Sequence, residues 1–204
     1  MAVHLINTFL LLATLSLTAW WAASGEIVSF KNKASLWVFG IGFLGVLVLG
    51  VCGAITALGD TLFPADSLAE GIRQDFSPTA HFLLRLRVWH PIIAIIIGSY
   101  LIMVSGLYAL HANDELRLLH NDPDCTDVKL VQHNQFVKRF ALFVIGVVIV
   151  QLLVGLPNLL LLAPSWMQII HLFLADLVWI GLVLLAVNKY AKLESGTVVT
   201  QPTY

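Results

Sequence analysis

Apolar residues fill this chain in long uninterrupted blocks. They do not alternate as in half-buried strands, nor form the narrow stripes of soluble amphipathic helices. No Asp, Glu, Lys or Arg occurs over residues 1–25, 34–59, 88–113 or 140–175. A helix needs about 20 apolar residues to cross the hydrocarbon of a bilayer, so each block is long enough to span one. The last is too long for a single crossing, and Pro157, Asn158 and Pro164 are expected to divide it. The pattern predicts an all-α polytopic membrane protein with five transmembrane helices, at about 1–23, 35–58, 81–110, 136–156 and 166–190. Ser77-Pro78 and Pro164-Ser165 pair a capping residue with a proline, and both are expected to start helices on the same side.

Composition changes the picture only by confirming the solvent. Of the 204 residues 59% are hydrophobic and 11% charged, against about 25% charged in a soluble domain. The formal net charge is −1, and no basic stripe is interleaved with aromatics, so nucleic acid is excluded as a partner. The first block has no basic leader and no small-residue cleavage site, so it reads as a helix and not as a secretory signal. Cys52 falls in a predicted helix and Cys125 in a polar loop, with no Cys-x-x-Cys. Both are expected to be reduced, without a disulfide framework or a cysteine metal site.

Basic residues set the expected orientation. Lys31 and Lys33, then Arg117, Lys129, Lys138 and Arg139, then Lys189 and Lys192 share one side, eight in all. Arg73, Arg85 and Arg87 are the three on the other. The basic side is expected to be cytoplasmic, with the C-terminus on it, in a bacterial plasma membrane. Residue 1 then starts on the outer side with no preceding loop, which points to further chain before it. The segment 111–135, with His111, His120 and His133, reads as a solvated loop in preference to a metal site, because its spacings fit no standard ligand pattern.

Ionisable groups within a bilayer are expensive, so each is a functional candidate. They are His4 in the first helix, His90 in the third, and His171 and Asp176 in the fifth. His171 lies about 9 Å beyond the start of its helix and His90 about 13 Å beyond His81, at 1.5 Å per residue. The third helix is long enough for its first turn to stand clear of the lipid, so the two histidines can share a depth. Neutral imidazoles on facing helices suit axial ligation of one heme iron; the plainer alternative is hydrogen-bonded packing. Arg87, three residues before His90, shares its face one turn outward and suits a propionate. Arg85, about 140° round the helix, is the weaker candidate. Asp176 reads as a structural hydrogen-bond donor or acceptor, or as a group that tunes an imidazole. The glycines of "GIGFLGVLVLGVCGA" read as close helix packing.

The stretches "GVCGAITALGDTLFPADS", "DFSPTAHFLLRLRVWHP" and "QLLVGLPNLLLLAPSWMQIIHLFLADLVW" resemble the second half of the heme A synthase family, whose members support assembly of heme-copper oxidases. "AVHLINTFLLLATLSLTAWW" is similar to the last helix of that family's first half. The resemblance covers the chain except residues 111–135 and the tail. It implies a lead helix at residues 1–30 and a four-helix heme-binding bundle at 31–204. It implies that His90 and His171 are axial ligands of a b-type heme, and that His4 lines the catalytic site where heme O is oxidised at its C8 methyl to heme A. The family's first three helices, its glutamate-bearing helix and its outer cysteine pair have no counterpart here, and Arg87 stands where the equivalent helix of the other bundle carries the glutamate.

The expected function is therefore a heme A synthase-type oxidoreductase of the membrane, with heme b as cofactor and heme O and heme A as substrate and product. Expected partners are lipid, heme, and a second copy or a missing N-terminal half that completes the site around His4. Heme O synthase or the oxidase complex is a further expected partner. Two alternatives remain open on the sequence: a b-type cytochrome subunit that only carries electrons, and a structural membrane subunit without heme.

Overall fold

The computed structural model describes residues 2–25, 27–28, 33–122 and 127–192. Cys125, Lys31 and part of the tail lie outside them. Among the described residues the chain forms six helices: α1 (Ala2–Ser24), α2 (Lys33–Leu62), α3 (Leu68–Asp75), α4 (Phe82–Asn121), α5 (Val128–Leu160) and α6 (Ser165–Tyr190). All but α3 are long and apolar enough to cross a membrane. The fold is all-helical, as the apolar blocks predict. A two-residue antiparallel bridge, β1 (Ile27–Val28) with β2 (Ala191–Lys192), places the turn after α1 beside the end of α6.

Helix α2 packs on α4, α4 on α5, α5 on α6, and α6 back on α2, closing a four-helix bundle. Helix α1 lies outside it against α6 and α2. The stacked rings of Phe9 and Trp179, 4.8 Å between centroids, and the 2.7 Å bond from Trp179 Nε1 to the Phe9 carbonyl fix α1 to α6. Trp20 Nε1 donates to Asn188 Oδ1 further along, so the two helices run parallel. Lipid is as apolar as the side chains, so association within it rests on close packing and hydrogen bonds more than on the hydrophobic effect. The glycines of α2 serve that packing. A Cβ at Gly45 would collide with Ile97 of α4 at 2.8 Å, and one at Gly50 with Leu5 and Phe9 of α1 at 2.9 Å.

Three sequence expectations are corrected. Ser77-Pro78 does not open a helix: α4 starts at Phe82, capped by His81, whose Nδ1 accepts from Leu83 N. Pro157 does not end α5, which continues to Leu160. The turn follows at Leu162 and Ala163, both in the left-handed region at φ 57° and 52°. The segment 111–135 is mostly helix, because α4 runs to Asn121 and α5 begins at Val128. Apolar periodicity marks only the part of a helix inside lipid, and both helices project beyond it with polar residues exposed.

Candidate functional site

Helix α4 carries Pro91 directly after His90. Proline supplies no N–H, so the carbonyl four residues back, that of Arg87, loses its helical donor. This loosened turn holds both residues of interest, and the bundle turns His90 inward towards α2. A Cβ built on Gly53 would meet His90 Cε1 at 3.0 Å, so only glycine lets the backbone of α2 lie against this ring without displacement. Helix α5 lies against His171 less tightly: a Cβ at Gly155 would stand 3.4 Å from its Cε1, an ordinary van der Waals contact. Each histidine is thus seated against a glycine of the neighbouring helix.

The two imidazoles face each other across the bundle at 6.4 Å between ring centroids, with planes inclined by 71°. Two metal–nitrogen bonds of about 2 Å each, plus half a ring at either end, span roughly 6 Å. The pair thus has the separation needed to clamp one ion from opposite sides. Both Nδ1 atoms are buried with no partner among the described residues. Buried polar groups are normally satisfied, so this pocket has bonding capacity that the protein leaves unused. These features fit a heme held through His90 and His171.

The end of the bundle where α4 begins carries a charge cluster. Arg87, 9% exposed, pairs through Nε with Asp60 of α2 at 2.8 Å and through Nη1 with Asp75 of α3 at 3.2 Å. Its Nη2 donates to the Phe63 carbonyl at 3.4 Å. One guanidinium thus ties α2, α3 and the loop between them to α4. Burial pushes the Asp75 carboxyl above its usual range; Arg87 pulls it down, and the nearby Asp60 charge raises it again. Arg85 is exposed and donates to the Pro78 carbonyl at 3.2 Å.

The structure brings His90 and His171 together and sets Arg87 one turn nearer the start of α4, engaged with carboxylates. It does not bring His4 to the pair. His4 is exposed on α1, outside the four-helix bundle. From the Phe9–Trp179 contact it lies about 5 Å deeper than His171, by helical rise along parallel helices. Asp176 has a buried Oδ1 without a partner among the described residues. Sequence reasoning read Gly53 only as close helix packing and overlooked Gly155, Asp60, Asp75 and Gln151, whose amide nitrogen is 3.1 Å from His171 Nε2. Gln151 was discernible as an amide four residues before Gly155 in an apolar span, but attention to charged groups alone passes it over.

A bundle of membrane-spanning helices, with an opposed histidine pair inside it and a clamped charge cluster at one end, makes this an integral membrane protein. The sequence profile of the COX15-CtaA family, cytochrome oxidase assembly proteins, matches residues 1–183, and the chain belongs to that family. Two curated relatives, both called protoheme IX farnesyltransferase and from two strains of Thermus thermophilus, are 40% identical over 191 residues. The match covers 93% of this chain but only 28% of each relative, so the chain spans little more than a quarter of their length. No solved structure matches.

Proposed function

We propose that this chain is a heme A synthase-type membrane oxidoreductase that holds a b-type heme between His90 and His171. It takes part in oxidising the C8 methyl of heme O to the formyl of heme A. The observation that carries the reading is the opposed histidine pair at 6.4 Å, each ring seated on a glycine. When bound, the heme would supply reversible one-electron transfer. The protein would supply imidazole nitrogens from His90 and His171, and a charge cluster at the outer end. Turning a methyl into a formyl removes four electrons, so a resident one-electron carrier suits the reaction.

Arg87 and Arg85 are the proposed propionate contacts. Arg87 would reach a carboxylate by exchanging its longest bond, that to the Phe63 carbonyl. His4 is the proposed contribution of α1 to the catalytic site, completed by a second copy or by a further segment of chain on its exposed face. The basic end, with Lys138, Arg139 and Lys189, is proposed to be cytoplasmic. In the longer relatives, named for farnesylating protoheme, a segment resembling this chain shares one polypeptide with the rest. That supports heme O synthase as a partner.

An optical spectrum of the purified chain, oxidised and dithionite-reduced, with a pyridine hemochrome assay, tests the site. A sharp reduced α band lost in His90→Ala and His171→Ala supports it. A protein that stays colourless and takes up no added heme refutes it. Conversion of heme O then separates the enzyme from an electron-carrying cytochrome subunit. The position of His4 outside the pair keeps that second reading in play for this chain alone.

A further inference from the structure

We infer that Gln151 is a positioning residue for His171. It holds the ring in the ligating tautomer before heme arrives, and it gives up the Nε2 nitrogen when heme binds. The inference rests on the bis-histidine reading above and deepens it.

The contact is specific. The Gln151 amide nitrogen lies 3.1 Å from His171 Nε2. With the amide nitrogen turned towards the ring, Nε2 accepts and the ring proton resides on Nδ1. In that tautomer the Nε2 lone pair is the one available to a metal. The same amide, however, occupies that lone pair. Heme ligation through Nε2 therefore requires Gln151 to release it.

The surroundings of the contact are polar. Gln151, Gly155 and Asn158 are spaced i, i+4, i+7 on α5 and share one face. Gly155 and Gln151 both meet His171. Gln151 Oε1 and Asn158 Oδ1 are buried, with no partner among the described residues. In a lipid-embedded bundle such atoms are costly. Their gathering on the face that meets His171 marks a polar strip built for more than packing. The opposite ring is treated differently. Gly53 seats His90, and Thr56, three residues on, spends its hydroxyl on the Cys52 carbonyl at 2.9 Å. No side chain among the described residues bonds His90, so of the two ligands only His171 is held by a glutamine.

The test uses the full chain in detergent, produced heme-free under heme limitation and titrated with hemin. Gln151→Leu removes the competing bond and is expected to tighten binding roughly three- to tenfold. Gln151→Glu bonds Nε2 more strongly in either protonation state and is expected to weaken binding about tenfold or more. Opposite signs distinguish positioning from packing, since a packing defect weakens both. Binding by Gln151→Leu at or below wild-type strength, with the melting temperature of the heme-free protein unchanged, overturns the inference. If Gln151→Leu does not fold, Gln151→Glu decides alone, and unchanged or tighter binding overturns it. Imidazole 15N spectra of the heme-free wild type supply a readout independent of heme: His171 should be protonated on Nδ1, and an Nε2-protonated ring is fatal to the idea. A wild-type chain that binds no low-spin heme refutes the underlying reading instead.

Discussion

Gly53 of α2 lies so close to His90 of α4 that a Cβ there would stand 3.0 Å from the ring's Cε1. The ring position therefore depends on the absence of a side chain on the neighbouring helix. Gly53→Leu should push His90 out of line and reduce heme content on the order of tenfold. Gly40→Leu, on the same helix with nothing within 4 Å, should retain it. Pyridine hemochrome content per chain measures both; equal loss would show that α2 packing in general, and not this contact, sets the site.

Removing either histidine should release the low-spin heme. The loss in affinity for His90→Ala or His171→Ala should exceed the 10- to 100-fold typical of groups that only support a ligand, because an axial bond itself is lost. Far-UV circular dichroism of the two variants should match wild type, since the bundle is held by contacts elsewhere, such as Gly45 of α2 against Ile97 of α4. Heme binding unchanged in either single variant would remove that histidine from the site.

The charge cluster at the start of α4 should be asymmetric. Arg87→Ala leaves two half-buried carboxylates facing each other and should cost about 3 kcal/mol. Arg85→Ala, at an exposed position, should cost under about 0.5 kcal/mol. Heme retention should follow the same order. Asp60→Asn, losing the 2.8 Å pair, should destabilise more than Asp75→Asn, which loses the longer one at 3.2 Å. Thermal unfolding in detergent ranks the four variants, and a larger loss from Asp75→Asn would reverse the assignment of the main partner.

Helix α1 should be separable from the bundle by two changes on α6. Trp179→Phe keeps the ring stacked near Phe9 but removes the bond to its carbonyl, at a cost of about 0.5–1.5 kcal/mol. Combined with Asn188→Ala, which removes the acceptor for Trp20, it should free α1. Cysteine cross-linking between α1 and α6 should then fall, while heme bound between α4 and α6 persists. Loss of both together would make α1 part of the heme-holding unit.

Much of this protein is set by sequence alone. Lipid permits few backbone solutions, so charge-free blocks of sufficient length specify helices, their number and their order. The same economy singles out His90 and His171, because an ionisable group inside a bilayer needs a reason to be there. Tertiary structure decided the rest. Whether two histidines on distant stretches of chain face each other depends on how glycines on α2 and α5 let backbones approach, which no periodicity reveals. Arg87 reads as a lone cation on the face of His90. Only folding brings Asp60 and Asp75 from two other helices to neutralise it. Gln151 is uncharged and embedded in an apolar run, and it acquires meaning only through the 3.1 Å contact that α6 makes with it. Pro157 likewise reads as a break, yet α5 carries it, because packing against α4 and α6 outweighs one missing backbone bond.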